Sequence, residues 1–122
     1  MIIPHLHFIG TCKEAIELYE RAFQTKTETI FLNDDGRVSH AVMSIHGQKI
    51  FLNDRFGAKK RTTDISTNLV IVFDNKEEFM YSYEILKEDS KEIDPVTELP
   101  YSPLAVQFID KYKVQWAFMV KK

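Results

Sequence analysis

The sequence repeats itself at a distance of 63 residues, and this internal repeat limits the chain to folds built from two similar halves. The shift aligns a polar residue at a candidate helix start, a Glu three residues later and an apolar helical stripe. The aligned pairs are Thr11 with Asp74, Glu14 with Glu77, Ile16 with Phe79, Ala22 with Ile85, and Phe23 with Leu86. A length of 122 residues suits one domain with two paired halves better than two independent domains.

The first half predicts the element order β, α, β, β, β. Its helix starts with a capping box of Thr11 and Glu14, continues with apolar residues at 3.6-residue spacing, and ends near Phe23 or Gln24. The Asn33-Asp34-Asp35-Gly36 turn indicates a hairpin, because glycine adopts positive φ at little cost. The strands are predicted over residues 2–9, 25–32, 37–45 and 49–53.

The second half predicts the same order. Asp74 caps its helix with Glu77 at the third position, as Thr11 does with Glu14. The strands are predicted over residues 69–73, 92–96, 104–109 and 114–120, which confines Pro95, Pro100 and Pro103 to turns or edges.

The predicted fold class is therefore α+β, with two tandem βαβββ modules. Each module alone exposes one sheet face, so the two are expected to form a curved mixed sheet around a cleft, with the helices outside. We predict a single domain over residues 1–122, with module 1 at about 1–54, a linker at about 55–66 and module 2 at about 67–122.

Charge and hydropathy exclude several classes of partner. The formal net charge of −2 provides no general attraction for nucleic acid or an anionic membrane. The basic run Lys59-Lys60-Arg61 is interpreted as a solvated connection, so no nucleic-acid partner is expected. Because no apolar stretch approaches the roughly 20 residues of a membrane span, no membrane partner is expected either.

Cys12 is the single cysteine, so an internal disulfide is excluded, which is typical of a reducing compartment. Residues 1–10 lack a basic leader, so we expect no signal peptide and predict a cytoplasmic location. The sequence contains no GxGxxG, Walker, GxSxG, HExxH or CxxC motif, which leaves nucleotide-dependent, serine-hydrolase and zinc-finger chemistry without support.

Three stretches carry a family resemblance. Residues 8–23, FIGTCKEAIELYERAF, resemble the opening of PhnB-like proteins, a branch of the glyoxalase/bleomycin resistance/dioxygenase (vicinal oxygen chelate, VOC) superfamily. Residues 38–45 and 51–54 are similar to the "HA…G…D" hairpin of that branch, and Asp110-Lys111-Tyr112 with Val114-Gln115-Trp116 is similar to its "DKFGVxW" ending. The resemblance covers nearly the whole chain and implies the VOC fold and a homodimer.

The resemblance also implies where a metal would bind in the superfamily's enzymes. The ligand positions fall at Pro4, at Phe51 or Leu52, at Thr67 or Asn68, and at Ala117. Pro, Phe, Leu and Ala lack donor atoms suited to a metal, so we expect neither a metal nor another cofactor. The chain also departs from its branch: Lys113 replaces a usual Gly, Tyr101 replaces a common Trp, and Leu104-Ala105-Val106 replaces an aromatic, Gly-rich run.

Two interpretations of the His5 and His7 pair stay open. On a strand both imidazoles point to one face about 7 Å apart, a spacing that can chelate one metal, with His40 as a third nitrogen. The alternative is structural, with both rings covering a sheet edge beside solvent or the first helix. It is favoured because the register points Pro4, Leu6 and Phe8 into the cleft.

His40 is the leading candidate for a ligand contact. If Ala41, Met43 and Ile45 pack beneath a helix, His40 faces the cleft and can hydrogen-bond a ligand or accept its proton. The structural alternative is that His40 satisfies backbone groups at the hairpin.

Other residues have structural interpretations beside functional ones. Cys12 lies in the first helical turn, where its thiol could be activated, but a buried apolar role is favoured. Asn53 and Asp54 end a strand, where they contact ligand or cap a turn. Trp116 is expected to pack in the core rather than to act as a stacking platform.

Two functions of different classes result. The first is a metal-free small-molecule binding protein of unidentified ligand, with His40, Phe8, Asn53 and Tyr101 as the ligand-binding residues. The second is a divergent metal-dependent VOC enzyme of the glyoxalase or dioxygenase type. The sequence assigns no catalytic residue.

Overall fold

The computed structural model describes residues 1–55 and 67–122. The chain divides into two compact units, Met1–Thr63 and Asp64–Lys122. Apart from Arg55, the predicted linker at about residues 55–66, with its basic run at Lys59-Lys60-Arg61, lies outside the described residues.

Unit 1 contains one helix and four strands in the predicted order. They are β1 (His5–Phe8), α1 (Cys12–Phe23), β2 (Thr27–Leu32), β3 (Val38–Ile45) and β4 (Gln48–Asp54). The four strands form one sheet in the order β1-β4-β3-β2. β1 pairs parallel to β4, whereas β3 pairs antiparallel to both β4 and β2.

Unit 2 repeats this arrangement. Its elements are β5 (Leu69–Phe73), α2 (Lys76–Leu86), β6 (Lys91–Leu99), β7 (Ser102–Ile109) and β8 (Gln115–Val120). The sheet order is β5-β8-β7-β6, with β5 parallel to β8. Because both units have the same element order and the same pairing pattern, the predicted α+β fold of tandem βαβββ modules is confirmed. The eight strands within residues 1–55 and 67–122 form two hydrogen-bonded sheets of four.

The core of unit 1 lies between α1 and one face of its sheet. The apolar stripe of the helix is buried, and Phe8 at the end of β1 contacts Tyr19 with 6.4 Å between ring centroids. Ala41 and Met43 of β3 are also fully buried. This packing removes the apolar face of an amphipathic helix from water, which is the main stabilising contribution to such a unit.

The core of unit 2 is a cluster of aromatic rings between α2 and its sheet. Phe118 lies at the centre, with ring centroids 5.0 Å from Phe73, 5.1 Å from Phe108 and 5.9 Å from Trp116. These pairs adopt the edge-to-face geometry that aromatic quadrupoles favour. Trp116 is 1% exposed, so the prediction that it packs in the core is confirmed.

Both predicted helix caps differ in the structure. Thr11 is the N-cap residue of α1, but its side chain makes no capping hydrogen bond. The Cys12 N–H instead donates to Oδ1 of Asp54, at the end of β4. In unit 2 the N-cap is Asn75, one residue after the predicted Asp74, and its side chain accepts a hydrogen bond from the Glu78 N–H. Asp and Asn are both good caps, so the sequence could not separate these neighbours.

The turn between β7 and β8 contains one departure from the PhnB-like pattern, at a position where the backbone conformation favours glycine. Lys113 has φ = +74°, in the left-handed region that favours glycine, and the resemblance places a usual Gly there. Its backbone N–H donates to the Asp110 carbonyl and holds it in this conformation. A side chain at this position therefore adds strain to the turn.

We expect Lys113→Gly to raise the free energy of unfolding by about 0.5–1 kcal/mol, because relief of the left-handed strain exceeds the extra chain entropy of glycine in the unfolded state. Urea denaturation measures the change. Lys111→Gly is the matched control, since Lys111 is a neighbouring exposed lysine outside the left-handed region, and it should destabilise the chain. Equal destabilisation by both substitutions would contradict the strain argument.

Candidate functional site

The sheet of unit 1 has one face toward α1 and one face away from it, and β1 determines which predicted residues lie on each. Phe8 packs against the helix, and Leu6 shares its side by strand alternation. His5 and His7 therefore lie on the opposite face. The sequence prediction that Pro4, Leu6 and Phe8 point into the cleft is wrong by one residue, and Pro4 precedes β1. Phe8 is fully buried in the core, which removes it from the candidate ligand contacts.

Six side chains define the face opposite α1, which we call the imidazole face: His5, His7, Phe31, His40, Phe51 and Asn53. The strand register arranges them in two neighbouring rows. His7 pairs with Asn53 and His40 pairs with Phe31, while His5 pairs with Phe51 in the adjacent row. The antiparallel β3–β4 register places Val42 opposite Phe51. His40, two residues before Val42, therefore lies beside Asn53, two residues after Phe51.

The rings of the imidazole face contact one another. The His5 and His7 ring centroids are 4.2 Å apart, and His40 lies edge-on to Phe51 at 4.8 Å. Phe51 also meets His5 edge-on at 6.0 Å, and Phe31 stacks over His40 at 6.3 Å. His40 and Phe51 are half-buried, whereas Phe31 is 59% exposed. The face thus offers ring edges and ring surfaces to a flat molecule.

A hydrogen bond orients His7 and Asn53. His7 Nδ1 lies 2.7 Å from Asn53 Oδ1, and because an amide oxygen only accepts, Nδ1 carries the proton. The bond turns the Asn53 side-chain nitrogen, a donor, away from His7. Asn53 is half-buried, so this donor group belongs to an oriented side chain rather than to a freely rotating one.

The electrostatic surroundings of His5 disfavour its charged form. Partial desolvation of the exposed His5 ring is the largest cause that lowers the pKa of His5 below its usual value, and repulsion from protonated His7, protonated His40 and Arg55 lowers it further. Protonation of His5 requires more acidic solution than protonation of a solvated imidazole.

The structure supports the condition on which the His40 prediction depended. Ala41, Met43 and Ile45 are buried, and His40 lies on the other side of β3. His40 and Asn53 therefore share the imidazole face. Tyr101 lies in unit 2, between β6 and β7, and is 62% exposed. The sequence analysis placed Phe51 only at an implied metal position, as an alternative to Leu52, and it missed Phe31, which pairs with His40 across the β2–β3 hairpin.

The donors at the superfamily's metal positions do not fit a bound metal. The corrected register of β1 replaces Pro4 by His5, and the second position falls at Phe51 because Leu52 lies on the helix side. Asn68 donates its amide to Gln107, and Ala117 has no donor. Among residues 1–55 and 67–122, no three His, Cys, Asp or Glu side chains form a group that could hold a metal ion. One imidazole in four positions is too few for a Zn or Ni site.

Cys12 has the predicted structural role. Its side chain is fully buried, and burial together with the negative charges of Asp54 and Glu14 raises the pKa of the thiol to about 12. A thiol with this pKa is protonated at neutral pH and is a poor nucleophile.

Two surface grooves lie at equivalent places of the repeat, beside the C-terminal ends of the helices. The groove near α1 has a volume of about 660 Å³ and the groove near α2 about 530 Å³. Glu20 lies in the first, where it accepts hydrogen bonds from Thr27. Tyr83 lies in the second and donates to Glu92, and burial raises the pKa of Tyr83 to about 12. Both grooves are lined by residues with polar or charged side chains, and neither contains a predicted site residue.

No helix among the described residues is both long and apolar enough to cross a membrane. No family model and no curated protein matches the sequence.

Comparison with solved structures identifies the fold. A PhnB protein from Bacillus cereus is 25% identical, covers 98% of each chain and has a TM-score of 0.88. Protein PA1353 from Pseudomonas aeruginosa has the same TM-score at 19% identity, covering 99% of this chain and 97% of that chain. A glyoxylase/bleomycin resistance protein/dioxygenase domain from Frankia sp. EAN1pec is 17% identical, with a TM-score of 0.76 over 100% of this chain and 97% of that chain. The chain therefore has the fold of the glyoxalase/bleomycin resistance/dioxygenase superfamily, and its resemblance to PhnB-like proteins is confirmed.

Proposed function

We propose that the chain is a metal-free protein that binds a small molecule on the imidazole face of unit 1. The observation that carries this proposal is the pair of adjacent rows formed by Phe31, His40, Asn53 and His7 and by Phe51 and His5. Aromatic rings and oriented polar groups meet there on a half-exposed surface. Such a mixture of apolar area with a few placed polar groups is typical of ligand sites.

His40 and Asn53 are the central contacts in this proposal. His40 is held edge-on by Phe51 and covered on one side by Phe31, so its ring has little rotational freedom. Asn53 is oriented by His7. A ligand that hydrogen-bonds these two side chains meets groups already ordered, which lowers the entropic cost of binding. The role of Tyr101 of unit 2 as a ligand-binding residue stays a prediction.

The alternative function is a divergent metal-dependent VOC enzyme. The close approach of His5 and His7 favours it, since their ring centroids are only 4.2 Å apart. We prefer the metal-free function because the positions implied by the superfamily contain only one imidazole and no carboxylate.

A homodimer, a cytoplasmic location and a single-domain organisation belong to the same proposal. β2 is an outer strand of its sheet, with Ile30 46% and Leu32 52% exposed. Exposed apolar residues on an outer strand favour coverage by a second copy. A lone buried cysteine is compatible with a reducing compartment.

The test is a small-molecule screen on chelator-treated protein, read by thermal shift and confirmed by calorimetry. We expect at least one ligand whose affinity is unchanged by chelator and falls roughly tenfold or more in His40→Ala or Asn53→Ala, since each variant loses an ordered polar contact. His46→Ala is the matched control, because His46 lies outside the imidazole face in the β3–β4 turn.

Elemental analysis of protein purified without chelator accompanies the screen. About one equivalent of tightly bound Ni, Zn, Fe or Mn, lost together with ligand binding on chelation, would support the enzyme instead. Ligand binding that His40→Ala and Asn53→Ala leave unchanged would move the site away from the imidazole face.

A further inference from the structure

The charges around the imidazole face have one predominant sign. His5, His7 and His40 lie on it, Lys49 shares it through the alternation of β4, and Arg55 follows directly after β4. The strand register of the described part of unit 1 assigns no acidic residue to this face. The exposed Glu28 lies in the bulge of β2, between the pairs of Thr27 and Thr29, and Asp54 lies on the helix side, where it binds the Cys12 N–H.

Arg55 is held close to the first row of the face. Its backbone N–H donates to the Phe8 carbonyl over 2.7 Å, which fixes the end of β4 beside the end of β1. Arg55 is exposed, and its positive charge acts on His5. A guanidinium in this position offers paired N–H donors, the geometry that matches a carboxylate.

The rings beside Arg55 form the apolar part of the same surface. Phe51 lies between His5 and His40, and Phe31 covers His40. A flat aromatic body fits against such rings by offset or edge-on packing. The Arg55 guanidinium at one end of β4 and the aromatic rings next along the face thus complement a molecule with a negative group attached to a ring.

We infer that the small molecule bound on the imidazole face is an aromatic carboxylate, with its ring against Phe31, His40 and Phe51 and its carboxylate toward Arg55. This inference rests on the proposed function and names the ligand class of the same site. The carboxylate pairs with the Arg55 guanidinium through charge-assisted hydrogen bonds.

The test compares benzoate with benzamide, which has nearly the same shape and no charge. Chelator-treated protein is titrated with each at pH 7 and followed by amide NMR. We expect benzoate to bind roughly tenfold more tightly than benzamide, as a charge-assisted pair predicts, and to shift the amides of His5, Phe51 and Arg55. Arg55→Gln should remove the preference without weakening benzamide.

Arg21→Gln is the matched control, because it removes the same charge from α1, on the other side of the sheet. It should leave the preference for benzoate intact. Benzoate binding no tighter than benzamide, or a preference that survives Arg55→Gln, would overturn the inference. The proposed function would still stand in that case if an uncharged ligand from the screen lost affinity in His40→Ala.

Discussion

Replacing Asp110 by Ala should lower the free energy of unfolding by about 3–5 kcal/mol, a large part of the total stability of a small domain. Asp110 lies between β7 and β8 and is 1% exposed. Its Oδ1 accepts hydrogen bonds from the backbone N–H groups of Tyr112 and Val114, and its Oδ2 accepts one from Trp116 Nε1 over 2.8 Å. The Ala variant leaves all three donors without this acceptor.

Denaturant unfolding measures the Asp110→Ala effect, and the single Trp116 provides a local readout. We expect the indole N–H resonance of Trp116 to shift and its exchange with solvent to accelerate, because the carboxylate acceptor is gone. Asp74→Ala is the matched control: the Asp74 side chain is 74% exposed and pairs with Lys121 only at the surface, so its loss should cost less than about 1 kcal/mol.

A double-mutant cycle keeps the Asp110 prediction testable if Asp110→Ala folds poorly. Asp110→Asn retains one acceptor oxygen, and Trp116→Phe removes the indole donor while keeping a ring in the aromatic cluster. The cost of Asp110→Asn should be smaller in the Trp116→Phe background, because one of the bonds is already absent. Equal costs in both backgrounds would show that the bond to Trp116 contributes no stability. An Asp110→Ala cost no larger than that of Asp74→Ala would show that the carboxylate does not hold this turn.

The sequence predicted the architecture because the signals for it are local and repeated. Apolar periodicity, turn residues and the 63-residue repeat together fixed the order of ten elements, and the strand at residues 69–73 matches β5 residue for residue. The helical stripe occurs in both modules, so each module supports the element order predicted for the other. The resemblance to the PhnB-like branch rested on the same local motifs.

The sequence could not show which side chains of β1 pack against α1. The strand has only four residues, and the alternate sets Leu6 with Phe8 and His5 with His7 are each able to pack under a helix. The parallel pairing of β1 with β4 decides the matter, because it joins residues more than 40 positions apart, Phe8 with Asp54. The structure therefore changes the candidate site: Phe8 lies in the core, and His5 and His7 lie on the same face as His40.

The N-terminal cap of α1 could not be predicted from local sequence either. A capping box is a local motif, and Thr11 with Glu14 matches it, yet the acceptor that the structure uses is Asp54. Asp54 was interpreted only as a strand-end residue that contacts ligand or caps a turn. The bond between Asp54 and the helix could not be found from local sequence, because it joins residues 42 positions apart.

The second large effect is expected for Asp54→Ala, which should lower the free energy of unfolding by about 2–4 kcal/mol. Asp54 is 6% exposed, and its two oxygens accept hydrogen bonds from Cys12 N–H at the start of α1 and from Val38 N–H at the start of β3. The carboxylate also interacts favourably with the N-terminal end of the helix dipole. Its loss leaves two buried donors and removes that interaction.

Hydrogen exchange and thiol chemistry locate the effect of Asp54→Ala. The amides of Cys12 and Val38 should exchange faster, and the thiol of Cys12 should react sooner with iodoacetamide, because removing the negative charge of Asp54 lowers the pKa of Cys12 from about 12. Asp34→Ala is the matched control, since Asp34 is an exposed carboxylate of the same unit. If Asp54→Ala and Asp34→Ala unfold at the same denaturant concentration and their thiols react equally slowly, the carboxylate of Asp54 does not anchor the helix, and the start of α1 depends on Thr11 and Glu14 after all.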